Sequence, residues 1–438
     1  MNDPMTMRVA NQSDDSDRPG AQAKDAIGRR QFIRGAAMLA AAGIVMIGPQ
    51  AWAARALAGD SNRKRLVVVF MRGAVDGLNL VIPYGDSQYY EQRPTIAIAR
   101  GGDGALIDLD GHFGLNPALA SLTPMWQDGT LAFIHACGSP DPTRSHFDAQ
   151  DYMESGTPGV KSTGDGWMNR VMAALPGTHS PTEAVSLGPT VPRILSGPLP
   201  VANVPLGRAA MRPIPLDNPK IEQSFDGLYS GDDALSRAYH EGRIARQKLR
   251  ADLEQDMTAA DNGAPPPNGF SDDTGRLARL IARDPSIRLA FLALGGWDTH
   301  VSQGAAKGQL ANHLRPLGDG LASFVKDLGP AYDDTVILVI SEFGRTVHEN
   351  GNGGTDHGHG NVMWVMGGRV RGRRIYTQWE GLAPADLYQE RDVPVTTDFR
   401  EPIARVLGLH MGLPASQINR IFPGRQPESG NTSGLIKA

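Results

Sequence analysis

At 438 residues, 40% hydrophobic and 21% charged, the chain has ordinary globular proportions and enough apolar side chain for a full core. A formal net charge of −4, with basic residues clustered no further than Arg63-Lys64-Arg65 and Arg371 to Arg374, leaves no electrostatic footprint for nucleic acid and excludes that class of partner. A single cysteine, Cys137, excludes an internal disulfide.

The N-terminus differs from the rest. Met1 to Lys24 is polar and acidic with no apolar period, which predicts a disordered leader. Arg29-Arg30 then precedes a short Ala/Gly-rich apolar run, Ala36 to Gly48, followed by Pro49 and Ala51-Trp52-Ala53. Paired arginines, a short apolar region and a small-x-small site resemble a twin-arginine export signal, with cleavage after Ala53 or, as a second choice, Ala58. The run falls short of the ~20 strongly apolar residues of a membrane span. It predicts a periplasmic or secreted protein with no stable membrane span, which meets the twin-arginine translocase during export. The organisation expected is a signal region over 1–53 and one domain over 60–438.

Apolar, β-rich runs recur after the signal: Leu66 to Met71, Leu131 to Ala136, Ile287 to Leu294, Thr335 to Ile340 and Val362 to Met366. Continuous runs of this kind are read as buried parallel strands. Helical patterns lie between them. Asn116-Pro117 opens one; Gln309 to Leu328 carries Leu310, Leu314, Leu317, Leu321, Phe324 and Leu328 at helical spacing; Thr397-Asp398 with Glu401 reads as a cap before Ile403, Val406 and Leu407. The alternation predicts an α/β fold, a mostly parallel sheet flanked by helices. From Pro189 to Phe270 the rhythm breaks: a Pro/Gly-rich stretch, a polar helix over about Asp233 to Thr258, and Asn262 to Gly269 read as an inserted cap or loop region. Cys137, following an apolar run, reads as a buried thiol, and no signature of a cysteine enzyme surrounds it.

In an open α/β sheet, ligands bind beyond the carboxyl ends of the strands. Polar residues gather at those ends here. Asp76 comes after the first predicted strand; Thr143, Arg144 and Ser145 after the second; Asp298 and His300 after the third; Glu342 and Arg345 after the fourth; and Asp356, His357 and His359 precede the fifth. Carboxylates and imidazoles together suit one or two divalent ions, Zn, Mn, Mg or Ca, which can clamp both oxygens of a displacement at phosphorus or sulfur. Plainer readings stand beside these. Asp76 also suits a turn, Asp298 an Asx-turn, and Glu342 an ion pair with Arg345. Ser145 suits a helix N-cap before Phe147, Tyr152 and Met153, a place where backbone N–H groups also favour an anion.

Five ordered segments, Phe70 to Asn79, Pro142 to Asp151, Gly295 to His300, Ser341 to Thr346 and Gly354 to Gly358, resemble the bacterial family called domain of unknown function 1501. The resemblance covers about Arg65 to Phe422. It implies twin-arginine export and a fold like that of the alkaline phosphatases and sulfatases, but no reaction. Two departures from that wider group matter. Its members place an Asp-His pair where this chain has Glu342-Phe343, and sulfatases carry Cys-x-Pro-Ser-Arg where this chain has Pro140 and Asp141-Pro-Thr-Arg144. The expected function is an exported metal-dependent hydrolase of phosphate or sulfate esters acting on a small anionic substrate. In it Asp76, Asp298, His300, Glu342, Asp356, His357 and His359 are metal ligands, Ser145 or Thr143 is the nucleophile, and Arg144 or Arg345 holds the anionic oxygens. The alternative is a non-catalytic periplasmic binding or assembly protein with a degenerate site. A serine esterase is disfavoured because no Gly-x-Ser-x-Gly elbow is present.

Overall fold

The computed structural model describes residues 64–188, 190–205, 219–231, 233, 236, 269–426 and 428–437. The export signal expected over 1–53, and most of the cap expected over 189–270, lie outside the described residues. Twelve strands are described: β1 Arg65–Met71, β2 Val81–Ile82, β3 Ile107–Asp108, β4 Gly114–Leu115, β5 Leu131–Gly138, β6 Ala184–Leu187, β7 Ala202–Val204, β8 Leu289–Leu294, β9 Thr335–Ser341, β10 Asn361–Gly367, β11 Arg374–Tyr376 and β12 Thr397–Asp398. Nine of them form one sheet in the order β11-β5-β10-β9-β1-β8-β6-β7, with β12 also on β5. β1 runs parallel to β8 and β9, with Leu66 opposite Leu289 on one side and Val336 on the other. β10 alone is antiparallel to its neighbours, β9 and β5. The mostly parallel sheet therefore collects the carboxyl ends of β1, β5, β8 and β9, and the amino end of β10, along one edge.

β1 shows why its apolar run is unbroken. Val67, Val69 and Met71 pack with Leu310, Leu314, Leu317, Leu321 and Phe324 of the helix Gln309–Leu328. Leu66, Val68 and Phe70 face the opposite way, onto Trp167 and Met168 of the helix Trp167–Ala174 and Ile403 of the helix Arg400–Arg405. Both faces are covered, so no position from Leu66 to Met71 is free to be polar, and each large side chain adds roughly 1.5–3 kcal/mol of burial. The helix expected over Gln309 to Leu328 forms over those residues. Thr397-Asp398 instead pairs with β5 as a short strand, while Asp398 accepts from the Arg400 amide and leads into the helix. The region expected as an insertion begins inside the sheet, because β7 pairs in parallel with β6. Among the described residues, no helix is long and apolar enough to cross a membrane.

His410, 3% exposed, donates from Nε2 to the Arg65 carbonyl at 3.0 Å and anchors the chain after the helix Arg400–Arg405 to the start of β1. Burial pushes its pKa from 6.5 down to about 4. The unfolded chain therefore takes up a proton near pH 6.5 that the folded chain refuses until about pH 4. His410 contributes its full stability above pH 6.5 and loses it as pH falls toward 4, by roughly 3 kcal/mol at 1.36 kcal/mol per unit. The expected outcome is a urea midpoint that falls over that window, and a shallower fall in His410→Gln, which keeps a donor for Arg65 but does not titrate. Parallel pH profiles for the two proteins would refute this.

Candidate metal centre

Five loops meet at the sheet edge, and two glycines let them touch. A Cβ on Gly73, where φ is +118°, would lie 2.8 Å from the Asp298 amide nitrogen; one on Gly354 would lie 2.5 Å from the His300 carbonyl. The loop after β9 and the loop before β10 pair as an extension of their strands. Gly358 donates to the Gly344 carbonyl and Gly344 to the His359 carbonyl, both at 2.8 Å, and Arg345 stands opposite His357.

Three imidazoles converge there. His357 Nε2 lies 3.0 Å from His146 Nε2 and 3.0 Å from His300 Nε2. Asp298 joins them, its oxygens 3.0 Å from His300 Nε2, 3.6 Å from His357 Nε2 and 3.8 Å from His146 Nε2. Behind each ring, Nδ1 donates to an oxygen: His146 to Glu342 at 2.8 Å, His300 to Asp356 at 2.9 Å and His357 to the Arg144 carbonyl at 3.0 Å. Carboxylate and carbonyl oxygens only accept, so in the neutral rings each Nδ1 carries the proton and each Nε2 presents a lone pair. Burial, then the neighbouring His146 ring and the Arg345 charge, hold the pKa of His357 below its ordinary value and favour that neutral form.

The outer partners are themselves held. Burial works against ionisation of Glu342, but hydrogen bonds from His146, Gln150 and the Gly73 amide outweigh it, and its carboxyl titrates below the ordinary range. Phe343, the next residue, forms an apolar wall, its ring centroid 4.9 Å from His146 and 5.2 Å from His357. Asp298 is likewise lowered. Burial opposes the shift, and Arg345, donating to Asp298 Oδ1 at 2.5 Å, wins.

His146, Asp298 and His357 form a group able to hold a metal ion, with His300 against it. Tetrahedral ligands about 2.0–2.1 Å from a zinc ion stand about 3.3 Å apart, and the spacings of 3.0–3.8 Å fit that geometry. Lone pairs facing one another at 3.0 Å repel unless a proton or a metal ion stands between them.

The other expected site residues fall around this point. Glu342 and Asp356 orient imidazoles. Asp76, fully buried, accepts from Arg93 at 2.6 and 3.0 Å and from Gln303 at 2.6 Å. His359 lies beside Tyr388, ring centroids 4.7 Å apart. Arg345 is buried, and its guanidinium donates to the carbonyls of Gly73, Ala74 and Thr355 as well as to Asp298, tying three loops together. Arg144 turns its side chain to the buried Asp392 at 2.5 Å and offers its carbonyl to His357. Ser145 caps the helix His146–Ser155, its Oγ accepting from the Asp148 amide at 3.5 Å, and Thr143 Oγ1 accepts from the Ser145 amide at 3.2 Å. His146 was not among the expected ligands, although it stands at the carboxyl end of a strand in the same segment as Ser145; only the fold shows which way it points.

The chain belongs to a family of proteins of unknown function, domain of unknown function 1501, whose model matches residues 132–422. No curated protein matches it. Among solved structures it is similar to a protein of the alkaline phosphatase superfamily from Vibrio parahaemolyticus (10% identity, 84% of this chain and 71% of that one, TM-score 0.39). It is also similar to the C-terminal periplasmic domain of EptC from Escherichia coli in complex with Zn (13%, 86% and 93%, TM-score 0.37). A third is the lipoteichoic acid synthase LtaP from Listeria monocytogenes (7%, 81% and 73%, TM-score 0.35). The α/β class of this chain rests on its own strand order.

The Glu342 bond sets the tautomer of His146. In Glu342→Gln the amide offers a weaker, neutral acceptor, and the His146 proton is expected to move in part to Nε2. Imidazole ¹⁵N shifts of the metal-free protein would show it; an unchanged Nδ1–H signature would contradict the assignment.

Proposed function

We propose that this chain is an exported metal-dependent hydrolase of phosphate or sulfate esters. The observation that carries this reading is the convergence of His146 Nε2, His357 Nε2 and the Asp298 carboxylate, with His300 Nε2 against them and each imidazole held from behind by an oxygen. A nitrogen-rich set of this kind suits zinc or manganese better than magnesium or calcium, which prefer oxygen ligands. A divalent cation bound there would polarise the ester and lower the pKa of a water. His146, His357 and Asp298 would hold it, with His300 beside them, and Glu342, Asp356 and the Arg144 carbonyl would keep the rings aimed. Beside it, the first amides of the helix His146–Ser155 favour a negatively charged oxygen. Phe343 closes one side to water and raises the strength of these interactions. Export through the Arg29-Arg30 signal belongs to the same proposal and places the reaction outside the cytoplasm.

The position of Ser145 favours water over the serine hydroxyl as attacking group. Its Oγ caps a helix, accepting from the Asp148 amide. A second reading, a binding or assembly protein with no turnover, draws on the same observation.

Metal analysis of the purified full chain, with turnover of chromogenic phosphate and sulfate esters, tests all of this. The wild type is expected to carry stoichiometric zinc or manganese, and Asp298→Ala to lose both metal and activity. Ser145→Ala is expected to keep most of its activity; its complete loss would make Ser145 the nucleophile. Absence of stoichiometric metal would sink the metal reading, and tight metal without turnover on either ester class would favour the binding protein.

A further inference from the structure

Asp298, Thr299 and His300 alternate in burial, and so their side chains point to opposite sides of an extended segment: the two at the centre are partly exposed, and Thr299 is fully buried. Thr355, which precedes Asp356 and His357, is also fully buried. Both hydroxyls donate to one atom, Gln303 Oε1, Thr299 at 2.8 Å and Thr355 at 3.0 Å. The amide of Gln303 has only one workable orientation. Its NH₂ donates to Asp76 Oδ2 at 2.6 Å, and a carboxylate cannot donate, so Oε1 must face the two threonines. Asp76 is in turn gripped by Arg93, which also donates to the Thr346 and Val347 carbonyls at 2.9 and 3.0 Å. Asp76, Arg93, Thr299, Gln303 and Thr355 are all 0% exposed. The backbone repeats the link: Gln303 N donates to the Gly353 carbonyl at 2.9 Å and Thr355 N to the Thr299 carbonyl at 3.2 Å.

We propose that Gln303 is a positioning residue of the metal centre: a buried fork that sets the distance between the loop carrying Asp298 and His300 and the loop carrying His357. It touches no ligand atom. It acts because one arm ends on Thr299, between Asp298 and His300, and the other on Thr355, two residues before His357, so the two loops cannot separate without leaving a buried hydroxyl or amide unpaired, a costly state in a dry interior. Asp76 and Arg93 supply the fixed point from which the fork is held. The inference rests on the reading of the centre as a metal site for its functional meaning, but the fork itself has a readout that needs no metal.

The test uses the full chain and Gln303→Met, which keeps length and volume but removes both arms. Zinc affinity, measured by competition with a chromogenic chelator, is expected to weaken about 10–100-fold, the range for loss of a group that orients ligands. The visible spectrum of the cobalt-substituted protein is expected to shift. Amide exchange at position 303 and at Thr355 in the metal-free variant is expected to accelerate together relative to the metal-free wild type. Asn169→Ala serves as the control, since Asn169 is a buried strut that holds the Leu195 and Leu199 carbonyls and takes no part in the centre. It should lower stability and leave zinc affinity unchanged. If Gln303→Met does not fold, Thr299→Val and Thr355→Val each remove one arm and should each weaken zinc binding. The proposal is overturned if Gln303→Met, or both threonine variants, bind zinc as tightly as the wild type with the wild-type cobalt spectrum and exchange rates. Should the wild type bind no zinc, the metal reading fails, and the exchange rates alone decide whether the fork holds the loops.

Discussion

His357 Nε2 stands 3.0 Å from both His146 Nε2 and His300 Nε2, and each ring meets an oxygen at its other nitrogen, a condition that the surrounding loops have to meet. Facing lone pairs repel, as do two charged rings, whereas a proton between two such nitrogens joins them. Every ring is gripped from behind by an oxygen, and those oxygens are anchored in turn. Glu342 takes hydrogen bonds from Gln150 and the Gly73 amide, and Asp356 takes one from Asn350. Ring orientation is settled during folding, so under the proposed function little reordering would remain when a cation binds.

Two buried arginines extend the same constraint outward. Arg345 and Arg93 each lie against a carboxylate and collect backbone carbonyls from loops far apart in sequence. Such pairs cost desolvation and are weak evidence for stability by themselves. Their value here is geometric. A guanidinium with five donors in a fixed plane can define the relative position of three loops at once, which a flexible ammonium cannot.

The framework was readable because its physics is local. Five strands announced themselves as apolar runs with both faces buried, and the helix Gln309–Leu328 by its spacing of leucines. The centre was readable only as a neighbourhood: polar residues at strand ends mark the edge where a site can form. Which of them point inward depends on contacts made hundreds of residues apart. Asp76 and His300 look alike in sequence, as an acid or imidazole close to glycine, yet Arg93 draws one into a buried ion pair while Asp356 turns the other to the centre. Arg93 and Gln303 carry no local mark of a role, since an arginine before Pro94 or a glutamine in a loop is ordinary. Ser145 had two readings, nucleophile and cap, and its hydrogen bond is that of a cap.

Glu342 shows what this chain builds at a departure from the expected pattern. The resemblance drawn from sequence implies an Asp-His pair directly after β9, and this chain has Glu342-Phe343 instead. The glutamate reaches back to receive His146 from the helix that comes after β5, and Phe343 packs its ring, tilted, beside both His146 and His357. The imidazoles at this edge come from other segments: His146 from that helix, and His357 from the segment paired across Arg345. An acidic side chain that orients an imidazole thus stands at the carboxyl end of β9, and the nitrogen atoms beside it are carried by neighbouring elements.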